Sequence, residues 1–214
     1  PYTFLWIGLW GERKNPIGLL KTYLTAFEAT DNVKLIIKTG GGDAPLLDYF
    51  ALLRCLNLKE YPKVEFIQKR LNEKELIALH HEADCYITLH RGEGFCLGAF
   101  ESAMVGNRLI YTSFGPVDEF ANWEYDLAVD YYLTPAVVPE RAIQETLPDG
   151  RIVGIATRVD PGGLDGKQLW AEPNLHYAQE CMRTTFLEGR MLVEHDRGKF
   201  SYNAVAKHLI KAIE

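Results

Sequence analysis

The sequence lacks any apolar run that approaches the length of a membrane span, so it predicts no transmembrane segment. It also has few cysteines, and Cys55, Cys85, Cys96 and Cys181 are scattered without the spacing of a metal site. Internal repeats and low-complexity tracts are absent as well. We therefore expect reduced cysteines in a cytoplasmic protein.

An excess of basic residues is missing too. The net charge is −6, which argues against non-specific binding of nucleic acid. The hydrophobic share of 47% over 214 residues suffices for the core of a single domain. The chain lacks an initiating methionine and begins on the apolar residues 4–8, so we expect it to be part of a longer protein.

Strand and helix patterns alternate over the first 130 residues, which is typical of a doubly wound parallel α/β sheet. Helix start signals support the pattern: Asn15 precedes Pro16, and Asn72 with Glu75 forms a capping box. After an irregular insertion at about 135–166, two C-terminal helices follow at 174–188 and 202–213. The six predicted strands are residues 4–8, 33–38, 64–67, 85–89, 108–112 and 127–132.

The strand order 3-2-1-4-5-6 fits six such strands best. In that order, strands 1 and 4 are neighbours, and the ligand crevice of an open α/β sheet lies between the loops that follow them. These loops are residues 9–15, which carry Arg13 and Lys14, and residues 90–96. The two basic residues either pair with phosphate or belong to a solvated loop.

The loop after strand 4 is rich in glycine, with Gly92, Gly94 and Gly98 leading into a helix that carries Glu101. Glycines allow a close approach of the backbone to a ligand, and the start of a helix attracts anions. An ordinary strand-to-helix turn with Glu101 on a solvated face is the alternative interpretation. The predicted convergence with Arg13 and Lys14 favours an anion-binding site.

The residues of this loop and helix, His90-Arg91-Gly92-Glu93-Gly94-Phe95-Cys96-Leu97 followed by 100–107, resemble the signature of family 4 glycosyltransferases (glycosyl transferases group 1). Further similarities are Arg13-Lys14-Asn15, Asp118-Glu119-Phe120 and Trp170-Ala171-Glu172-Pro173. These retaining enzymes consist of two Rossmann-like domains that face each other across a cleft, the GT-B architecture. The resemblance covers nearly the whole chain and corresponds to the C-terminal, donor-binding domain only.

The resemblance implies a role for each matching residue. Lys14 would bind the donor diphosphate, and Glu93 would contact the transferred sugar near its reacting carbon, so these two are the expected catalytic residues. The backbone amides of residues 95–97 would hold the distal phosphate, and Glu101 would bind the ribose hydroxyls. The expected nucleotide-sugar site comprises Arg13, Lys14, Gly40, His90, Arg91, Gly94, Phe95, Cys96, Leu97 and Glu101.

Two positions depart from the family pattern. Leu9 stands where many relatives have arginine, so Arg13 or Arg91 would substitute for it. Cys96 replaces a common glycine. Lys14 and the helix start can stabilise the diphosphate leaving group without a metal, and no Asp-x-Asp motif is present, so we expect neither a metal nor a cofactor.

The expected function is retaining transfer of a sugar from a UDP- or GDP-sugar to a glycan, polysaccharide or lipid-linked acceptor. We expect an N-terminal acceptor domain outside this chain, without which the chain alone is inactive and through which it could associate peripherally with the inner membrane. A nucleotide-sugar-binding module without turnover and a sugar-nucleotide 2-epimerase would share these motifs. The sequence leaves the base, the sugar, the acceptor and the oligomeric state open.

Overall fold

A parallel sheet of six strands forms the centre of the chain in a computed structural model, which describes residues 1–40, 42–137, 142–146, 152–156, 165–196 and 198–213. The order is β3-β2-β1-β4-β5-β6, with every neighbouring pair parallel, which confirms the predicted topology. The strands are β1 (Tyr2–Ile7), β2 (Val33–Lys38), β3 (Lys63–Ile67), β4 (Cys85–Thr88), β5 (Arg108–Thr112) and β6 (Leu127–Val129).

Helices cover both faces of the sheet, and their start signals act as predicted. The Asn15 side chain accepts a hydrogen bond from Gly18 N at 3.2 Å, and Asn72 and Glu75 form the reciprocal capping box. The helices are α1 (Pro16–Ala26), α2 (Ala44–Cys55), α3 (Glu73–Glu82), α4 (Leu97–Met104), α5 (Leu175–Glu188) and α6 (Tyr202–Ile213). Within the described residues, none of the helices has the length and apolar character to cross a membrane.

The core has two layers, because successive side chains of each strand point to opposite faces of the sheet. In β1, Phe4 and Trp6 pack into the layer beneath α1, α2 and α5, whereas Leu5 packs into the layer beneath α3 and α4. Burial on both faces explains why the central strands are continuous apolar runs rather than alternating ones.

The predicted sixth strand, residues 127–132, is wrong in its extent. β6 ends at Val129, and after Asp130 a new strand β7 (Tyr131–Val137) pairs antiparallel with β10 (Asp165–Pro173) outside the main sheet. The sequence hides this break because tyrosines of high strand propensity continue the apolar pattern directly after Asp130.

Within the predicted irregular insertion, β8 (Ala142–Thr146) and β9 (Ile152–Ala156) pair antiparallel, which confirms the two predicted short strands. The predicted turn at 148–150 lies outside the described residues. The division into a single domain and an expected partner domain stays a prediction.

Tyr86 of β4 fixes the helix after the glycine loop against the sheet. Its buried hydroxyl donates a hydrogen bond to Ile7 O at 3.1 Å. A methyl group placed on Gly98, in the first turn of α4, would overlap that hydroxyl and lie 3.1 Å from Tyr86 Cζ. Gly98 is therefore required for close packing of α4 on β4 and β1.

We predict that Gly98→Ala lowers the free energy of unfolding by about 1–3 kcal/mol, since overpacking outweighs the gain in helix propensity. Tyr86→Phe alone should cost about 1 kcal/mol through the lost hydrogen bond. The double variant should lose less unfolding free energy than the two single losses added together, because the methyl group enters the space that the hydroxyl leaves. Urea unfolding measures all three variants.

Gly92→Ala is the control, since no atom lies within 4 Å of its Cβ position, and it should be nearly neutral. Additive effects of Gly98→Ala and Tyr86→Phe would contradict this account of the packing.

Candidate functional site

The loops after β1 and β4 are joined at the carboxyl edge of the sheet, as the strand order predicts. Arg91 N donates a hydrogen bond to Arg13 O at 2.8 Å. The Asn15 side chain, which caps α1, also donates to Leu89 O at 2.9 Å. Residues nearly 80 positions apart in sequence thus form one rigid surface between β1 and β4.

Two cations and one carboxylate lie together on this surface. Glu93 forms ion pairs with Lys14 and with Arg13, whose Nη1 lies 3.3 Å from Glu93 Oε2. Arg13 Nη1 also donates to Gly92 O at 2.6 Å. The Glu93 side chain is only 9% exposed, so its charge is poorly screened by solvent. The cluster carries a net charge of about +1, which favours a further anion.

Arg91, which was expected to bind the nucleotide sugar, forms ion pairs with two acidic side chains. Its guanidinium pairs with Glu172 of β10 at 2.6 Å and with Glu12 at 3.1 Å, and it lies 5.5 Å from the centre of the Trp170 ring. The sequence shows no local signal for either acidic partner of Arg91. The motif at 170–173, noted only through the family resemblance, is the one clue to Glu172.

The start of α4 carries the backbone amides that are expected to bind phosphate. Cys96 directly precedes the helix with φ at 62°, a left-handed conformation that glycine adopts most easily. A glycine at position 96 would adopt this left-handed backbone conformation without strain. Phe95 packs on Phe100 with ring centres 5.1 Å apart, and Leu97 is exposed. Around Gly94 there is open space where a Cβ would lie.

Glu101 lies in the second turn of α4. Its side chain is 37% exposed, and partial burial raises the pKa of its carboxyl above the ordinary value. His80 Nε2 of α3 lies 3.3 Å from Glu101 Oε2. Burial lowers the pKa of His80 to about 4, so this histidine is neutral near pH 7. The sequence offered no sign that His80 contacts Glu101.

His90, at the beginning of the glycine loop, is fully buried. Neither of its ring nitrogens has a hydrogen-bond partner among the described residues. Burial lowers the pKa of His90 to about 4, although the nearby Glu93 carboxylate acts in the opposite direction. Gly40 lies after β2, with open space where its Cβ would be.

A separate depression of about 600 Å³ lies between the end of α4 and a surface formed by residues 192–196 and Gly198, and it is lined by Gly106, Leu192 and His195, among others. It lies away from the cations and is therefore not the candidate site.

Across the part of the chain that the structure describes, no group of three or more His, Cys, Asp or Glu side chains could hold a metal ion.

The architecture defines the chain as a Rossmann-like domain, and comparison with solved structures shows which proteins share this fold. The C-terminal domain of a glycosyl transferase group 1 family protein from Francisella tularensis matches with a TM-score of 0.50 and 15% identity. The match covers 60% of this chain and 67% of that domain. The fold is therefore the Rossmann-like fold of C-terminal domains of GT-B glycosyltransferases.

A structure of the GtfA/B complex matches with a TM-score of 0.50 and 16% identity over 62% of this chain and 25% of that one. The catalytic domain of cholesterol-α-glucosyltransferase from Helicobacter pylori is 20% identical, with a TM-score of 0.41. That match covers 53% of this chain and 65% of the other. No protein-family model and no curated protein matches the chain.

We predict that the buried His80 and His90 make the free energy of unfolding fall in acid. Their pKa values are about 4 in the folded chain, below the ordinary 6.5, so the unfolded chain binds more protons. Stability is therefore fully present above pH 6.5 and is lost as the pH falls from 6.5 towards 4. At pH 5, each of His80 and His90 should lower the free energy of unfolding by about 2 kcal/mol.

Urea unfolding between pH 4 and 7.5 measures this effect. His80→Asn and His90→Asn should each remove about half of the loss, whereas His176→Asn, which changes an exposed histidine, should leave the profile unchanged. A wild-type profile that is flat between pH 6.5 and 5 would show that the buried rings are protonated in the folded state.

Proposed function

We propose that the chain is the donor-binding domain of a retaining family 4 glycosyltransferase and that it binds a UDP- or GDP-sugar between β1 and β4. The observation that carries this proposal is the pair of joined loops, which presents Lys14, Arg13 and the start of α4 at one place. Cations that lie beside the backbone amides of a helix start form a site for a diphosphate.

Glu93 neutralises part of the positive charge of Lys14 and Arg13 that a diphosphate would contact. A nucleoside diphosphate carries more negative charge than one carboxylate, so it would compete with Glu93 for Lys14 and Arg13. The amides of Phe95, Cys96 and Leu97 would take the distal phosphate. Binding would thus release the Glu93 carboxylate to accept hydrogen bonds from the transferred sugar.

Glu101 would hold the other end of the donor. Its carboxylate is partly exposed on α4, with one oxygen close to His80. The remaining acceptor capacity of the carboxylate suits the two hydroxyls of a ribose, which are both donors. The two glutamates would therefore bind different parts of one ligand, with Glu93 on the sugar and Glu101 on the nucleoside.

In the transfer step, the bond between the anomeric carbon and the diphosphate breaks, and negative charge develops on the leaving group. Lys14 and the helix start would stabilise that charge by preorganised electrostatics, without a metal. Glu93 would orient the sugar as an oxocarbenium-like centre forms. An N-terminal domain outside this chain would bring the glycan, polysaccharide or lipid-linked acceptor, so the chain alone would not complete transfer. Such an enzyme would work in the cytoplasm or peripherally at the inner membrane.

We predict that substitutions of the two glutamates change ligand affinity differently, as measured by calorimetric titration. Glu101→Ala should weaken the bare nucleoside diphosphate and the nucleotide sugar alike by about tenfold or more, since it removes hydrogen bonds to a charged group. Glu93→Gln should strengthen the bare diphosphate by about three- to fivefold, because an ion pair worth up to about 1 kcal/mol no longer competes. The nucleotide sugar should gain nothing or become weaker.

Glu82→Gln is the control, because it removes a different carboxylate from an ion pair, with Lys34 at the amino end of β2. It should change neither affinity. Parallel behaviour of Glu93→Gln and Glu101→Ala, or normal binding of the diphosphate by Glu101→Ala, would contradict the assignment.

We also predict that the affinity for the nucleoside diphosphate survives chelation. The charge of the diphosphate is balanced by Lys14, Arg13 and backbone amides rather than by a bound cation. Titration of UDP and GDP with and without EDTA should give the same dissociation constant. A loss of tenfold or more, which corresponds to about 1.4 kcal/mol, would mean that a metal takes part in binding.

A further inference from the structure

The Arg91 side chain joins three segments of the chain. Its Nε and Nη2 donate to the two carboxylate oxygens of Glu172 at 2.6 and 3.1 Å. Its Nη1 donates to Glu12 O at 2.8 Å and to the Glu12 carboxylate at 3.1 Å. Every nitrogen of the guanidinium is therefore engaged, and the pair with Glu172 is bidentate, the strongest arrangement of arginine with a carboxylate.

The backbone of Arg91 connects the same segments. Its N–H donates to Arg13 O at 2.8 Å, and its carbonyl accepts from Ala171 N at 3.0 Å. The guanidinium also lies over Trp170. Residue 91 is thus held on one side by the loop after β1 and on the other by β10, through both main chain and side chain.

The two-stranded ribbon of β7 and β10 anchors Arg91 to the main sheet. β7 begins directly after β6, and Asn174, which follows β10, donates its N–H to Asp130 O at 2.9 Å. The base of the ribbon is therefore fixed to the main sheet. Glu172 lies close to that base, so the carboxylate that holds Arg91 has a rigid support.

We propose that Arg91 and Glu172 are positioning residues: their ion pair fixes the loop at 91–96 and the 3-10 turn of Glu12–Lys14 in the arrangement that binds the donor diphosphate. This inference rests on the proposed function and changes the role expected for Arg91. Arg91 acts through the backbone of its loop and through Glu12, while Arg13 and Lys14 contact the phosphates.

The charges explain why Arg91 is not a phosphate ligand itself. If its guanidinium turned to a diphosphate, Glu172 would lose both hydrogen bonds of its bidentate pair, although its side chain is only about one fifth exposed. A poorly solvated carboxylate would then lie close to a bound polyanion without the Arg91 cation. Losing one partner of a poorly solvated ion pair is strongly destabilising, which disfavours a phosphate contact by Arg91.

Glu172→Gln distinguishes the two roles by the sign of its effect. If Arg91 positions the loop, loss of the Glu172 charge should weaken UDP or GDP binding by fivefold or more. If Arg91 binds phosphate, the same change frees the guanidinium and should strengthen binding. Arg91→Lys should weaken binding in both cases, because an ammonium lacks the planar bidentate geometry. If Arg91 positions the loop, a variant with both changes should bind nucleotide no more weakly than the weaker-binding of the two single variants.

Asp31→Asn is the matched control. Asp31 pairs with Arg183 at 3.0 Å and is 23% exposed, and Arg183 also lies over an aromatic ring, that of Phe27. This pair lies at the amino end of β2, opposite the candidate site. Its loss should lower stability to a similar degree without changing the affinity for nucleotide, which separates positioning from a general loss of folding.

Amide hydrogen exchange gives a readout that needs no ligand. Glu172→Gln should accelerate exchange at residues 91–98 while the amides of β2 and β5 stay protected. Stronger nucleotide binding by Glu172→Gln, or unchanged exchange in this loop, would overturn the inference. If the wild-type chain bound neither UDP nor GDP, the proposed function would fail, and the exchange data would still decide whether the ion pair orders the loop.

Discussion

The adjacency of β1 and β4 is the constraint on which the rest of the structure depends. The chain builds outward from β1 to β3 and then returns to place β4 on the other side of β1, so two loops distant in sequence meet at one edge. Asn15 joins these loops, and Tyr86 fixes α4 against both strands. The fold itself therefore brings the residues of the candidate site together at this edge.

The charged side chains at this edge fall into two groups with different partners. Lys14 and Arg13 share the single carboxylate of Glu93, which leaves positive charge for an incoming anion. Arg91 is instead shared by the carboxylates of Glu12 and Glu172. Residues of the same sign, adjacent in space, therefore have different electrostatic surroundings, and the two roles proposed for them rest on this difference.

Polar groups that are buried behind this surface complete it. His80 lies behind Glu101 and His90 behind the glycine loop, and both are neutral because burial disfavours the charged ring. Because a neutral ring carries no positive charge, neither histidine repels the cations of the cluster. The fold is shared with the C-terminal domain of a glycosyl transferase group 1 family protein, whereas these contacts are properties of this chain.

The sequence by itself determined the strand order, the helix starts at Asn15 and Asn72, and the meeting of the two loops. Local rules suffice there, since apolar runs, caps and glycines act within a few residues and the crossover rule then orders the strands. Tertiary structure alone decided the break after Val129, the burial of His90 and the partners of Arg91 and Glu93. Arg91 and Glu172 are 81 positions apart, as Lys14 and Glu93 are 79 apart, and no local pattern records which charges meet. Such pairing follows from the packing of β10 and the loops, because only the folded chain brings these side chains within reach of one another.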